Sequence, residues 1–115
     1  MQNFSNATIE GFVTHDPQAK TTKTGKSLCT FALAINHYSK SDEPPRVSFI
    51  EVETWEKVAD ICSKNISKGK RILVTGSLRQ DRWEDERGKM QSRLKIVGNE
   101  VIFLGSGKAA DEAKI

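Results

Sequence analysis

Cysteine is scarce in this chain, and long hydrophobic runs are missing. The two cysteines, Cys29 and Cys62, belong to no Cys-x-x-Cys pair, so we expect two buried thiols that pack as small apolar side chains. His15 and His37 add no ligand spacing, and neither a metal site nor a cofactor is predicted. No apolar run reaches the roughly eighteen residues that a membrane-spanning helix needs, and the N-terminus lacks the pattern of a secretion signal. These absences favour a cytoplasmic protein that contacts no membrane.

Motifs that carry catalysis are also lacking. Residues 105–108 resemble a phosphate-binding loop only faintly, because Ile102 stands at the first glycine position and Ala109 at the Ser/Thr position. No Gly-x-Gly-x-x-Gly follows a predicted strand, and no Ser/His/Asp or Cys/His grouping has a recognisable signature. The sequence therefore predicts a protein that is not an enzyme.

The formal net charge of +3 is too small to indicate a nucleic-acid partner by itself. The distribution of charge says more, because residues 1–60 hold six Lys/Arg against eight Asp/Glu, whereas residues 61–115 hold twelve against seven. A basic half is a weak indication of a polyanionic partner. A solvated surface is the alternative, and charge alone favours it.

Most of the chain has the alternating pattern of β-strands. The five predicted strands cover residues 8–14, 28–36, 47–55, 70–83 and 90–104. A helix is predicted over residues 56–68, with Gly69 placed to end it. Five strands with one helix between the third and the fourth are the arrangement of the OB-fold, an all-β barrel. We therefore expect one OB domain over residues 1–104 and a flexible tail over residues 105–115.

Several aromatic side chains are predicted to lie outside the core. In the third strand the face with Ile50 is the better core face, which leaves Phe49 and Trp55 on the outer side. Trp83 stands among charged residues with no apolar neighbours, and Tyr38 enters a polar loop. The alternatives are core positions for Phe49 and Trp55, and, for Trp83, packing onto the barrel or in a subunit contact. Every nucleobase has a π-face, so exposed rings with nearby cations indicate a single-strand binding surface.

The motifs that carry a family resemblance run from about residue 4 to residue 104. They are Gly11 with Asp16-Pro17, Gly25, Phe31-x-Leu33-Ala34-x-Asn36, Phe49-Ile50-x-Val52-x-x-Trp55-x-Lys57-x-Ala59, Lys68-Gly69, and Val74-x-Gly76-x-Leu78-Arg79 leading to Trp83. On these residues the chain resembles the bacterial single-stranded-DNA-binding protein (SSB) family. The resemblance implies an OB-fold homotetramer that wraps single-stranded DNA during replication, recombination and repair, in association with the nucleoid.

The resemblance also implies site residues. Base stacking is expected at Phe49, Trp55 and Trp83, with Tyr38 a looser candidate because Ser39 occupies the aligned position. Phosphate contacts are expected from five basic residues: Lys20, Lys57, Lys68, Arg79 and Arg82. The sequence itself adds Arg93 and Lys95 of the fifth strand to this group.

Two features of the sequence depart from the family pattern. Glu51 and Asp81 place negative charge among the predicted phosphate contacts, which would weaken binding or make it more sensitive to salt. The acidic-hydrophobic tip through which relatives recruit replication and repair proteins is also missing after residue 105. Either the natural chain is longer, or partner recruitment works differently.

Three other functions on the same fold stay open at this stage. They are a protein-interaction module of the primosome type, an RNA-binding domain, and a nuclease. A nuclease would need carboxylates around a metal, which the sequence does not favour.

Overall fold

Six β-strands and one α-helix make up residues 3–104, the part of the chain that the computed structural model describes. In chain order they are β1 (Ala7–Val13), β2 (Gln18–Thr21), β3 (Ser27–His37), β4 (Arg46–Trp55), α1 (Glu56–Asn65), β5 (Arg71–Glu84) and β6 (Met90–Phe103). The tail predicted over residues 105–115 lies outside the described residues.

The strands form one sheet that closes on itself. Its order is β1-β5-β6-β4-β3-β2, and an additional pairing of β1 with β3 completes a ring of five strands. All pairings are antiparallel except the one between β4 and β6, which is parallel. This confirms the predicted OB-fold, with its helix between the third and fourth strands of the ring.

The short strand β2 was not predicted. Its four residues are all exposed, so they carry no alternation of apolar and polar side chains from which a strand could be recognised. The strand forms because a hairpin turn, in which Gly25 has a φ of +86°, folds residues 18–21 back onto the edge of β3. The predicted turn over residues 23–26 is confirmed, and β2 is the strand that precedes it.

The helix is shorter than the sequence predicts. It ends at Asn65, and Ile66 already has extended backbone, with φ −93° and ψ 136°. The predicted extension to residue 68 is therefore wrong. Ile66 turns its side chain into the core, where it is 5% exposed, and Gly69 takes its positive φ in the following turn instead of at the helix end.

Apolar side chains from the inner faces of the strands meet inside the ring, and α1 covers one end of it. The strand residues of this core are Val13, Cys29, Phe31, Leu33, Val52, Ile72, Val74 and Ile96. From α1, Ala59 and Cys62 pack against them. Both cysteines are buried and free, as predicted, and burial together with the neighbouring Cys29 raises the pKa of Cys62 to about 11. Within residues 3–104, no helix has the length and apolar content needed to cross a membrane.

A close approach between β5 and β6 requires glycine at residue 76. A Cβ atom there would lie 2.0 Å from the carbonyl oxygen of Val97, and the two strands shift register between Thr75 and Gly76. Such an irregularity bends the strand and lets a small sheet close into a ring.

Strand β4 passes into α1 without a connecting loop, and the backbone absorbs the turn at one residue. Glu56, the first helical residue, has a φ of +55°, a conformation that is unfavourable for any residue with a Cβ atom. Trp55 before it has extended backbone and provides no side-chain cap.

We therefore expect Glu56→Gly to be more stable than Glu56→Ala by about 1 kcal/mol, because only glycine adopts this φ without strain. Both changes remove the carboxylate, so the difference isolates the backbone. At Lys57, whose φ is not positive, the order should reverse, with alanine the more stable by about 1 kcal/mol. Urea unfolding of the four variants measures this, and the same order at both positions would contradict the prediction.

Candidate nucleic-acid interface

The outer face of the ring is continuous over four strands. Its floor on β3 consists of two alanines, a threonine and a leucine that lie opposite the larger residues of β4. The opposed pairs are Ala34–Phe49, Ala32–Glu51, Thr30–Glu53 and Leu28–Trp55. Because directly opposed residues share a face, this side of the sheet carries the smaller side chains along β3 and the larger aromatic and acidic side chains along β4.

The register extends this face across β6 onto β5. Glu51 pairs with Lys95 of β6, and Lys95 pairs with Arg79 of β5. Since side chains two residues apart share a face, Arg93 on β6 and Trp83 on β5 belong to it as well. The face thus combines rings from two strands with cations from two strands.

Three aromatic rings are accessible on this face. Phe49 is 69% exposed and Trp83 is 42% exposed, whereas Trp55 is partly buried. Phe49 and Trp55 are six residues apart along β4, about 20 Å at the usual rise of a strand. Tyr38 is almost fully exposed, in the segment that follows β3.

The indole of Trp55 is held by a hydrogen bond and also lines an open depression of the surface. Its Nε1–H donates a hydrogen bond of 2.7 Å to Oε2 of Glu53. The ring also lines a surface depression of about 420 Å³ together with Thr22, Thr24 and Lys26 of the β2–β3 hairpin. A flat group that enters this depression would meet the ring of Trp55 on one side and the hairpin on the other.

Glu53 is a buried acid at the centre of the outer face. It is 7% exposed, and besides Trp55 it accepts hydrogen bonds of 2.6 Å from Arg79 and from Lys95. Burial alone would raise its pKa, but the bonds from Lys95 and Trp55 and the charges of Lys95 and Arg79 outweigh burial and lower the pKa.

Lys95 is enclosed between two carboxylates. Its ammonium lies 2.6 Å from Glu53 and 2.6 Å from Asp81, and its side chain is only 12% exposed. Burial would lower the pKa of Lys95, yet hydrogen bonds to Asp81 and Glu53 raise it. The ammonium is therefore charged and already neutralised within the sheet.

Arg93 links the acidic and aromatic parts of the face. One guanidinium nitrogen is 2.6 Å from Glu51, and the guanidinium carbon lies 5.6 Å from the centre of the Trp83 ring. This distance is within the range of a cation–π contact. The Trp83 ring thus lies next to a cation and is 42% exposed.

Comparison with known proteins places the chain in a family. It matches the model of the single-strand binding protein family over residues 4–104. The chain belongs to this family. It is 38% identical to the single-stranded DNA-binding protein of Caldanaerobacter subterraneus subsp. tengcongensis, over 90% of this chain and 74% of the relative. It is 36% identical to the Treponema pallidum protein of the same name, over 92% of this chain and 61% of the relative.

A solved structure has the same fold. The Plasmodium falciparum SSB in complex with ssDNA superposes with a TM-score of 0.82, covering 90% of this chain and 97% of that one. Its sequence identity is 22%, so the likeness concerns the fold.

The structure does not bring all the predicted basic residues to one surface. Arg79, Arg93 and Lys95 lie on the outer face, and Lys57 is exposed in the first turn of α1, two residues after Trp55. Lys20 of β2 is opposite Leu28 of β3, and Leu28 is opposite Trp55 of β4. Lys20 therefore lies on the same face as Trp55.

Two of the predicted cations point elsewhere. Arg82 alternates with Trp83 along β5 and therefore projects from the other side of the strand. Lys68 follows the C-terminal end of α1, where its backbone N–H donates to Asp16, so the length of the helix separates it from Trp55.

Sequence reasoning missed the role of Glu53, although a signal for it exists. Glu53 lies between Glu51 and Trp55 in the same alternation, so any assignment of Trp55 to the outer face also places Glu53 there. What the sequence hides is the pairing of β4 with β6, which brings Lys95 to this acid.

The lowered pKa of Glu53 predicts an acid dependence of stability. An acid whose pKa is lower in the folded state than in the unfolded state stabilises the fold when it is ionised. Glu53 makes this contribution at pH values above its ordinary pKa of 4.5, and the contribution is lost as pH falls through the folded pKa. We expect Glu53→Gln to lower the free energy of unfolding at pH 7 by about 1–3 kcal/mol and to flatten its decline below pH 4.5. Part of the decline in the free energy of unfolding should remain in both proteins, because the pKa of Asp81 is also lowered.

Urea unfolding of both proteins between pH 7 and pH 3 measures this difference. Parallel pH profiles would show that Glu53 has no lowered pKa in the folded protein.

Proposed function

We propose that this protein binds single-stranded DNA without strong sequence preference, by stacking bases on Phe49, Trp55 and Trp83. The observation that carries the proposal is the accessibility of these three rings on one face, over a floor of alanine and threonine on β3. Each stacked base contributes about 1–3 kcal/mol. A duplex hides its base faces, so such a surface prefers unpaired strands. Membership of the single-strand binding protein family supports the same function.

Phosphate contacts are proposed for the cations that can reach solvent. Arg79 and Arg93 keep about half of their side-chain surface exposed, and Lys57 and Lys20 are exposed near Trp55. Lys95 is enclosed by its two acids, and we assign it to holding the face together. Lys68 and Arg82 would contact DNA only where a strand continues around the domain, as the wrapping implied by the family resemblance requires. We propose that Tyr38, which is exposed in the segment after β3, stacks a base beyond the end of that strand.

We further propose a role in protecting exposed strands during replication, recombination and repair, on the DNA of the nucleoid. Stacking and ion pairing hold a strand without breaking a bond, so this role requires no catalysis. Among residues 3–104, no cluster of three or more His, Cys, Asp or Glu side chains could hold a metal ion.

Titration with oligo-dT tests the proposed function. Stacking on the indoles should quench tryptophan emission strongly, and Trp83→Ala should remove much of the quench and raise Kd about tenfold, by the loss of one stacked base. Ile61→Ala is the matched control, because Ile61 is equally exposed but lies on α1. Unchanged affinity in Trp83→Ala would contradict the assigned site.

Competition with matched oligo-rU separates the alternatives that the sequence leaves open. A protein that prefers the RNA strand would be an RNA-binding domain, since only the 2′-hydroxyl and the uracil ring distinguish the ligands. Absence of a response to either strand would favour a protein-interaction module.

We also propose that the chain assembles as a homotetramer. The family resemblance supports this assembly, and so do apolar side chains on the extension of the β5–β6 hairpin. Leu78, Met90 and Leu94 are about half exposed or more, and they lie on the side of the hairpin that continues the core face.

Light scattering should give four times the 12.8 kDa of one chain. Leu94→Asp should lower that mass with the circular-dichroism spectrum retained, whereas Ile61→Asp should not; a monomeric parent would contradict the proposal.

A further inference from the structure

The buried carboxylate of Glu53 receives donors from three strands at once. Trp55 of β4 approaches at 2.7 Å, Arg79 of β5 at 2.6 Å and Lys95 of β6 at 2.6 Å. A carboxylate has two oxygens and about four acceptor positions, so these three bonds use most of its capacity. An acid in a surface that binds a polyanion is unfavourable unless it serves another purpose, and its bonds indicate that purpose.

The bond to Trp55 constrains the indole. A tryptophan side chain turns about two torsions, the first with three staggered states and the second with broad minima, and Nε1–H is its only hydrogen-bond donor. Fixing that atom to Glu53, two residues back on the same face, selects one orientation along β4. The selected orientation leaves the ring lining the open depression beside Thr22, Thr24 and Lys26.

A fixed ring binds a base more tightly than a mobile one. A side chain that becomes ordered only on binding costs about 0.5–1.5 kcal/mol, and the bond to Glu53 removes that cost in advance. The same carboxylate also engages Arg79 and Lys95, and Asp81 engages Lys95 again. Two acids and two bases therefore balance at the centre of the face, so the acid does not stand there as an unpaired repulsive charge.

We propose that Glu53 is a positioning residue of the single-strand site, holding the Trp55 indole in its base-stacking orientation and keeping Lys95 on the sheet instead of on phosphate. The inference rests on the proposed function. It assigns affinity at this end of the face to a preformed ring and leaves phosphate binding to the more exposed cations.

The experiment uses the full chain carrying Trp83→Phe, so that Trp55 is the only fluorescent indole. In this parent, Glu53→Gln keeps an oxygen acceptor for the indole but loses the charge, and Glu53→Leu loses both. Glu51→Gln is the matched control, because Glu51 lies on the same face and pairs with Arg93. Emission anisotropy of the free proteins reports motion of the ring, and oligo-dT titrations from 0.1 M to 1 M salt report Kd.

We expect Glu53→Leu to lower the anisotropy of Trp55 and to raise Kd at 1 M salt about fivefold to tenfold, since stacking dominates when phosphates are screened. Glu53→Gln should keep the anisotropy and the Kd at 1 M salt close to those of the parent. Its plot of log affinity against log salt should be steeper by about 0.7 for each cation that it releases to phosphate. Glu51→Gln should keep the anisotropy of Trp55.

A double-mutant cycle with Trp55→Phe separates positioning from a general loss of structure. Phenylalanine keeps a stacking ring but has no N–H for Glu53 to hold, so Glu53→Leu should change Kd at 1 M salt less than twofold in that background. An equal loss in both backgrounds would overturn the inference. If Glu53→Leu does not fold, Glu53→Gln decides instead: an unchanged salt slope in that variant would overturn the inference.

Failure of the inference and failure of the proposed function are distinguishable. If the Trp83→Phe parent and the unmodified protein both fail to bind oligo-dT, the proposed function is wrong. If both bind and Glu53 shows no coupling to Trp55, only the positioning role is wrong.

Discussion

Two residue pairs, Phe12 with Ala34 and Val13 with Leu33, join β1 to β3 and close the sheet on itself. The contact is tight, because a Cβ atom on the neighbouring Gly11 would lie 2.8 Å from the carbonyl oxygen of Ala34. Closure encloses the inner faces of five strands around a single core. Alternation along β4 and β5 then places Phe49, Trp55 and Trp83 on the outer side of the closed sheet.

The outer face combines two kinds of interaction that have different demands. Stacking requires rings that are exposed and held still, whereas phosphate binding requires cations that are free to move towards solvent. Glu53 and Asp81 enclose Lys95 and thereby favour the first demand over the second at the centre of the face. A strand bound here would be held more through its bases, and less through its phosphates, than the number of basic residues suggests.

Much of the fold could be predicted from local patterns. The alternation along β3 and β4 identified the core faces, and the aromatic residues of the outer face followed from the same alternation. The charged surroundings of Trp83 indicated that its ring is not in the core. The short strand β2 escaped prediction because pairing with β3, and not its own sequence, makes it a strand. The early end of α1 at Asn65 is due to the burial of Ile66, which is a tertiary effect.

The candidate site was less predictable than the fold, because it depends on which strands are neighbours. Arg82 stands next to Trp83 in the sequence, yet alternation sends the two side chains to opposite sides of β5. Lys68 is close to Trp55 in sequence and separated from it by a helix. Conversely, Glu53 and Lys95 are 42 residues apart and 2.6 Å apart in space. Only the parallel pairing of β4 with β6 brings them together.

That parallel pairing extends over three residue pairs, Glu51–Lys95, Val52–Ile96 and Glu53–Val97, and, together with the pairing of β1 with β5, it joins the first half of the chain to the second. Parallel ladders are slightly weaker per residue than antiparallel ones, and here the side-chain bonds Glu53–Lys95 and Glu51–Arg93 join the same two strands. Cohesion of the barrel and shape of its recognition surface are thus two properties of one small patch. A substitution in this patch that changes the recognition surface will therefore also change how firmly the barrel is held together.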